Sequence, residues 1–247
     1  RGVALIPALG FDYAPGDCLA RLAARGLEPL DEVEMAYAIQ GFGATRGTMR
    51  SALEMMKGGD VVYAEGSWRA PSRMPRRTVE LPDPIGARPM AKYPAGEIVT
   101  VPRHTEVKNV TAWVAADAFA PHQRLAPAVP FVMPALSALM RRPVRRLLSR
   151  AIDRLPEGPG EEDRRAARFT VMATARGSDG SVGRAVARGH DVYGLTAVIL
   201  SRCAQVLAGA GKGRVGALAP SVAFDAEELL RQLEPHGLTY EVESPSA

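Results

Sequence analysis

Two strand-like segments joined by a tight turn limit the folds that are open to this chain. Residues 168–175 and 181–188 have the pattern of β-strands, and Gly177-Ser178-Asp179-Gly180 between them is typical of a hairpin. Further strands are predicted at 32–39, 60–68, 77–81, 90–93, 97–101, 107–115 and 238–242. Because several of these are joined by short turns, we predict an α+β fold, a mixed and largely antiparallel sheet with helices packed on one face.

The composition excludes several classes of protein. With 247 residues, 47% of them apolar and 23% charged, the chain has the make-up of a globular protein with a substantial core. The net charge of +4 comes with few aromatic residues and no basic–aromatic strip, so a nucleic-acid partner is not expected. The two cysteines lie in apolar helical patterns, and no histidine or cysteine spacing fits a metal site. We therefore expect reduced thiols, no bound metal and a cytoplasmic protein.

The sequence opens with a predicted strand, a glycine-bearing loop and a helix. Val3–Ile6 has the pattern of a buried strand, and Cys18–Arg25 has the pattern of a helix that ends at Gly26. In open α/β sheets such a junction lies where ligands bind, and free N–H groups at a helix start favour an anion. From its spacing alone, the loop at 8–17 is either a ligand-binding element or an ordinary turn.

The loop residues Gly10-Phe11-Asp12-Tyr13-Ala14-Pro15-Gly16-Asp17 resemble the G-F-D-x-x-P-x-D segment of the saccharopine dehydrogenase-like reductases. Other stretches are similar to the same family in the same order, namely Gly47-Thr48, Tyr93-Pro94-Ala95-Gly96-Glu97, Val101-Pro102-Arg103-His104, Tyr193-Gly194-Leu195-Thr196-Ala197 and Gly216-Ala217-Leu218-Ala219-Pro220. The similarity covers nearly the whole chain. It implies the second domain of a Rossmann-type reductase, whose sheet borders the active-site cleft and often supports a homodimer.

The resemblance also implies roles for particular residues. The residues that would border the NAD(P) cofactor are Gly10, Phe11, Asp12, Pro15 and Gly16. The catalytic residues would be Asp12 and His104, and the substrate would be bound by Gly47, Thr48, Arg103 and His104. Residues 1–26 would join a dinucleotide-binding domain, and residues 27–247 would form a substrate and dimerisation domain.

Taken by themselves, the residue types leave these roles open. The loop from Gly43 to Thr48 could present N–H groups and a hydroxyl to an anionic substrate, or Thr48 could cap the helix that follows. Arg103 and His104, expected at the end of the strand at 97–101, could bind a carboxylate and exchange a proton. They could equally be a solvated arginine and a backbone-bonded histidine. Asp12 could form a local turn.

A proline- and arginine-rich insertion is predicted at about 120–163. Within it, the helix at 141–154 carries six arginines, with leucines on the other face. This helix is either a peripheral contact to a membrane or partner, or a cover for the sheet with solvated charges. We expect its leucine face to pack against protein. An arginine-rich helix beside an apolar stretch also fits a lipid-like substrate.

Two functions are consistent with the sequence. The first is an NAD(P)-dependent oxidoreductase that transfers a hydride to or from a small-molecule or lipid-linked substrate held between two domains. The alternative is a non-enzymatic dimerisation or scaffold module derived from that family. We expect no G-x-G-x-x-G fingerprint in this chain and interpret Arg1 as the start of a fragment. The cofactor would then be bound mainly by the missing N-terminal domain, and the fragment alone would be inactive.

Overall fold

An open β-sheet runs through the centre of the molecule in a computed structural model that describes residues 2–7, 9–55, 61–70, 77–115, 142–209 and 214–246. The strands are β1 (Ala4–Leu5), β2 (Leu30–Gln40), β3 (Val62–Ala64), β4 (Ser67–Arg69), β5 (Arg77–Leu81), β6 (Gly86–Lys92), β7 (Val107–Ala115), β8 (Arg168–Gly177), β9 (Val182–His190), β10 (Gly216–Ala217) and β11 (Leu238–Ser246). The helices are α1 (Ala14–Ala23), α2 (Arg46–Met55), α3 (Glu97–Thr100), α4 (Arg142–Ile152), α5 (Glu161–Ala166), α6 (Val192–Ala208), α7 (Pro220–Ala223) and α8 (Ala226–Leu233).

Nine of the described strands form one mixed sheet. Its order is β11-β9-β8-β2-β7-β3-β4, and the β5–β6 hairpin joins it by pairing β6 with β7. β2 and β7 run parallel, whereas the other strand pairs of this sheet are antiparallel. The predicted α+β fold with a mixed, largely antiparallel sheet is thereby confirmed, and the predicted hairpin turn joins β8 to β9.

The helices pack on one face of this sheet. α1 lies across it, in contact with β8, β9 and α8. Val33, Met35 and Tyr37, which are alternate residues of β2, point to this side and belong to the main core. Every residue of α1 except Arg21 is buried. The first helix is therefore part of the same packed unit as the sheet.

The opposite face of the sheet carries a smaller apolar cluster. Ala36 and Ala38 of β2 lie there, and the β5–β6 hairpin folds over that face. The buried members of this cluster on neighbouring strands are Val79, Leu81, Met90, Trp113, Ala115, Met172 and Val186. The centre of β2 is consequently enclosed on both sides.

The strand predicted at Val3–Ile6 differs from expectation. Only Ala4 and Leu5 form a strand, and they pair in parallel with β10 in a separate two-stranded ribbon. Val3 and Leu5 are 65% and 66% exposed, so the strand is not buried. α1 also begins at Ala14, earlier than predicted, because Pro15 and Gly16 form its first turn.

The strand predicted at 97–101 is wrong. These residues form the short helix α3, and a 3-10 turn at Val101–Arg103 follows it. Ile98 and Val101 are three residues apart and both buried, as on one side of a helix. The β-branched composition suggested a strand, but the tertiary environment encloses Glu97 and selects the helix. Arg103 and His104 therefore follow a helical turn instead of a strand end.

The arginine-rich helix predicted at 141–154 is present as α4. Its leucine face is only partly packed, since Ile152 is buried whereas Leu147 is 67% exposed. The part of the predicted insertion at 120–141 lies outside the described residues. No helix in the described part of the chain is both long and apolar enough to cross a lipid bilayer.

Candidate functional site

A buried tyrosine and a buried glutamate form the deepest part of the candidate site. The hydroxyl of Tyr37 on β2 donates a hydrogen bond to Oε1 of Glu97, the first residue of α3. Neither side chain reaches solvent, and Oε2 of Glu97 has no hydrogen-bond partner among the described residues. Burial raises the pKa of Glu97 to about 8. The carboxyl group of Glu97 is therefore mainly protonated at neutral pH.

Two further tyrosines lead from this pair to the surface. The ring of Tyr93 meets that of Tyr37 edge to face at 5.7 Å between centroids, and the rings of Tyr93 and Tyr13 are 6.3 Å apart. Burial raises the pKa of both Tyr13 and Tyr93, and the charges of Asp12 and Glu97 raise each pKa further. The phenols therefore stay protonated at physiological pH.

Asp12 stands at the outer end of this series. It is exposed, yet the surrounding protein desolvates its carboxyl group enough to raise its pKa. We call Asp12, Tyr13, Tyr37, Tyr93 and Glu97 the tyrosine–carboxyl cluster. The cluster runs from an enclosed acid to an acid that solvent can reach, with three phenol groups between them.

Tyr13 has a strained backbone. Its φ of 128° and ψ of −22° lie outside the region that suits a non-glycine residue, and it immediately precedes α1. Such strain costs on the order of 1–3 kcal/mol and persists where the surrounding packing enforces it, which is often at functional sites. The conformation of Tyr13 therefore marks the segment just before α1 as a candidate functional site.

Gly16 lies directly against the cluster. A Cβ atom at this position would overlap the carboxyl group of Glu97 and the hydroxyl of Tyr37. Pro15 is buried beside it. Both residues are predicted to border the cofactor, but this packing leaves no space for a cofactor to touch Gly16. The glycine allows α1 to approach β2 and α3.

A second group of hydroxyls surrounds Tyr193 in the first turn of α6. The Tyr193 hydroxyl accepts a hydrogen bond from the N–H of Thr45 at 3.0 Å and donates one to the carbonyl of Gly43 at 3.1 Å. It also lies 3.0 Å from the hydroxyl of Thr48. Thr48 is not the cap of α2, because its own N–H donates to the hydroxyl of Thr45. Thr45 is therefore the capping residue, and Thr48 lies one turn inside, next to Gly47.

The predicted cofactor loop meets the same helix. The N–H of Phe11 donates a hydrogen bond to the hydroxyl of Thr196 at 3.0 Å, and Gly10 lies against that side chain. Thr196 is one turn after Tyr193 on α6. The first two turns of α6 thus bring the Gly10–Asp12 segment and the Thr48 helix start into one region.

His104 lies elsewhere, in a buried pair with Asp17. Its Nε2 is 3.0 Å from Oδ1 of Asp17, and its Nδ1 is 2.9 Å from the hydroxyl of Thr105. The other oxygen of Asp17 accepts the N–H of Ser221 at 2.8 Å. Burial by itself would raise the pKa of Asp17, but the hydrogen bond and charge of His104, together with hydrogen bonds from Thr100 and Ser221, outweigh it and leave that pKa lowered. The pair joins α1 to α7 and to the segment after α3.

His104 and Arg103, which are predicted to bind substrate, both make contacts within the protein. The His104 side chain is 1% exposed, although it borders a polar cleft of about 400 Å³ lined also by Arg21, Glu28 and Asp225. Arg103 is exposed and lies over the ring of Trp68 at 4.9 Å. The indole N–H of Trp68 in turn donates to the carbonyl of Ile98. These contacts place Arg103 against β4 and α3, so its binding of a substrate stays a prediction.

Five residues of the site were not assigned a role from the sequence. Tyr13 lies in the Gly10–Asp17 stretch, Tyr93 and Glu97 lie in the Tyr93-Pro94-Ala95-Gly96-Glu97 stretch, Tyr193 opens another resembling stretch, and Tyr37 lies on a predicted strand. Four of the five therefore lie in stretches that resemble the reductase family. Only the pairing of β2 with β7 and the fold of α3 bring these side chains together.

Comparison with known proteins adds no identification. The chain matches no model of a known protein family, and no curated protein sequence matches it.

A dinucleotide fits the described residues poorly. The expectation that no G-x-G-x-x-G occurs in the chain is wrong by sequence, since Gly211-Lys212-Gly213-Arg214-Val215-Gly216 has this spacing. It follows α6 and leads into β10, however, whereas the fingerprint needs a strand before it and a helix after it. Residues 210–213 lie outside the described residues. Of the predicted cofactor residues, Gly10 and Asp12 are the ones whose positions reach the surface.

Proposed function

We propose that this chain is the substrate-binding part of an NAD(P)-dependent oxidoreductase similar to the saccharopine dehydrogenase-like reductases. The cofactor would be held mainly by a dinucleotide-binding domain outside these 247 residues. The observation that carries the proposal is the tyrosine–carboxyl cluster, because it brings a protonated acid and three phenols against the Gly10–Gly16 segment. The resembling stretches along the sequence support the same function.

Reduction of a double bond requires both a hydride and a proton. The cofactor supplies the hydride, and the protein has to deliver the proton to the neighbouring atom of the substrate. Tyr13 or Tyr93 would donate this proton, because both rings lie toward the surface end of the cluster. The Tyr37–Glu97 pair would hold a protonated acid at the inner end of the cluster, and Asp12 would act on the outer phenol through its charge.

The substrate would lie beside the hydroxyls of the α6 region. Thr48 and Tyr193 have hydroxyl groups there, and Tyr193 fixes the preceding loop through the N–H of Thr45 and the carbonyl of Gly43. Arg103 and His104 remain proposed substrate ligands on the strength of the resemblance. Their contacts to Trp68 and Asp17 mean that they would have to act from the side of α3.

The decisive experiment measures NADPH and NADH binding by the full-length protein and its turnover of a lipid-like substrate that carries a reducible double bond. Tyr93→Phe should lower kcat by roughly 10²–10⁴-fold if Tyr93 supplies the proton, without weakening NAD(P)H binding. Tyr63→Phe is the matched control, because Tyr63 packs on Trp68 outside the cluster. Failure of the full-length protein to bind either nucleotide would refute the proposal and favour the scaffold alternative.

A second measurement tests where the cofactor binds. Calorimetry of the 247-residue chain with NADPH should show no binding, because the one G-x-G-x-x-G stretch of the sequence, Gly211–Gly216, follows the helix α6 and leads into the strand β10. Micromolar binding would show that the cofactor site lies within this chain.

A lipid-like substrate is proposed on the basis of α4. Leu147 and Leu155 are 67% and 46% exposed, and Arg150 and Arg154 are exposed close to them. Apolar side chains beside arginines suit the surface of an anionic membrane, from which such a substrate would be taken. The chain would then be a cytoplasmic protein with a peripheral membrane contact. The resemblance further implies a homodimer, which light scattering at several concentrations would detect.

A further inference from the structure

A groove on the opposite face of the sheet from the tyrosine–carboxyl cluster has features of a second binding site. It encloses about 340 Å³, within the size range of small-molecule sites. Tyr37 points to the helices, whereas the next residue of β2, Ala38, lines this groove. The groove is therefore separated from the proposed catalytic region by the thickness of the sheet.

The strand register explains which side chains line the groove. One row across the sheet contains Arg168 of β8, which pairs with Gln40 of β2 on one side and with His190 of β9 on the other. The next row contains Thr170, Arg188 and Thr239, with Ala38. Pro84 and Ile85, in the turn between β5 and β6, form the opposite wall. Polar and apolar groups are thus fixed on rigid strands.

The charges in the groove do not balance. Arg188 forms an ion pair with Glu241 at 2.9 Å. Arg168 directs its Nη1 atom at the carbonyls of Arg165, Ala166 and Ala167. No carboxylate among the described residues pairs with Arg168, and no acidic residue lines the groove. Its guanidinium therefore leaves one uncompensated positive charge beside an apolar wall.

His190 supplies an unused polar atom in the same row. Its Nδ1 is buried and has no hydrogen-bond partner among the described residues. On the other side of the ring, Gly237 lies so close that a Cβ there would overlap Nε2. A buried nitrogen without a partner costs free energy, which a ligand oxygen would restore if the ring turned toward the groove. His190 pairs with Arg168 across β8 and β9, so both residues line the groove in the same row.

We propose that this groove binds a small organic acid, a single carboxylate attached to a short apolar body. The carboxylate would lie between Arg168, Arg188 and His190, because guanidinium groups bind carboxylates in a forked geometry. The apolar body would lie against Ala38 and Ile85. A bare inorganic anion would leave that apolar wall in water. This site is independent of the proposed oxidoreductase function.

Octanoate is the probe for this proposal, and isothermal titration of the 247-residue chain is the measurement. We expect saturable binding of one octanoate, with octanol and inorganic phosphate weaker by about tenfold or more, since each lacks one half of the recognised structure. Absence of saturable octanoate binding, or equal binding of phosphate, would overturn the proposal.

Two variants locate the site. Arg188→Gln should weaken octanoate binding by about tenfold or more, because one charge-assisted contact is lost. Arg184→Gln is the matched control, since Arg184 is on the same face of β9 and forms a similar ion pair with Glu243 outside the groove. Thr239→Asp, at an exposed position of β11, places a repelling charge in the groove and should also weaken binding. Equal weakening by Arg184→Gln, or unchanged binding by both groove variants, would contradict the assignment.

Discussion

The hydroxyl of Tyr37 donates a hydrogen bond to the carboxyl group of Glu97, and both side chains are fully enclosed by protein. A glutamate in this setting pays a large desolvation cost when it ionises, which is why its pKa rises to about 8. The stability of the fold should therefore depend on pH through this pair, because the folded protein holds the Glu97 proton more tightly than the unfolded chain does.

The first prediction concerns that pH dependence. The folded chain holds the Glu97 proton up to about pH 8, whereas the unfolded chain releases it near the ordinary pKa of 4.5. The folded state therefore binds more protons in this window, and its stability falls as pH rises from about 4.5 to about 8, then levels off. Relative to Glu97→Gln, the wild type should lose on the order of a few kcal/mol across the window.

Urea denaturation at several pH values measures this difference in the free energy of unfolding. Glu106→Gln is the control, because Glu106 is exposed. Its stability should follow the wild type at every pH. Parallel profiles for the wild type and Glu97→Gln would show that Glu97 ionises normally in the folded protein.

The second prediction concerns how tightly two glycines of the predicted cofactor loop, Gly16 and Gly10, are packed. Alanine normally favours a helix by about 1 kcal/mol over glycine, but at position 16 its Cβ would overlap Glu97 and Tyr37. Gly16→Ala should therefore lower the free energy of unfolding by roughly 1–3 kcal/mol. Gly10→Ala is the comparison, because a Cβ there would be 3.4 Å from Thr196, an ordinary contact. It should change stability by less than about 0.5 kcal/mol. Equal stability of the two variants would contradict the packing of α1 on α3.

The third prediction concerns the buried pair of Asp17 and His104. Asp17→Asn keeps the shape of the side chain but removes the charge that faces His104. We expect a loss of roughly 1–3 kcal/mol in the free energy of unfolding, because the amide has one acceptor oxygen where Asp17 uses two, so either His104 or the N–H of Ser221 loses its partner. Asp31→Asn, which removes an exposed pair with Lys108, should change stability much less. Guanidinium denaturation at neutral pH compares the two variants. Similar small losses of stability would mean that the contact between Asp17 and His104 does not stabilise the fold.

The fourth prediction tests the membrane contact of α4. The 247-residue chain should co-sediment with vesicles that contain anionic lipid, and less so with neutral vesicles. Arg150→Glu combined with Arg154→Glu should remove most of this binding. Arg25→Glu combined with Arg231→Glu makes the same change in net charge at exposed residues distant in sequence from α4. If both pairs reduce binding equally, the attraction depends on net charge and α4 has no special role.

Local patterns predicted much of the fold. The glycines and aspartate at 177–180 specify the β8–β9 hairpin, and the strand predicted at 107–115 is present as β7. Local patterns failed at α3, where β-branched residues suggested a strand. The reason is that a distant tyrosine, Tyr37, encloses Glu97 and the helix packs to accommodate it. Propensity yields to tertiary contacts in such short segments.

The candidate site was predictable only in part. Gly10–Phe11 and Thr48 do lie near one another, but through Thr196 and Tyr193, which no local rule selects. His104 contacts Asp17, which is 87 residues away in the sequence, and no local sequence pattern predicts that pair. The strained φ of Tyr13 likewise depends on packing that a sequence pattern does not contain.

The hydrogen bond from Ser221 to Asp17 spans 204 residues of sequence, and it has a consequence for biosynthesis. α1 leaves the ribosome well before the strands β8, β9 and β11 and the helix α8 that cover it, because these segments follow it in the sequence at residues 168–246. Long-range closure of this kind makes folding slow and leaves an apolar helix uncovered until those segments have been made. Nascent chains that stop before α7 would expose α1 with its aspartate unpaired, and these are the species that chaperones and proteases would encounter.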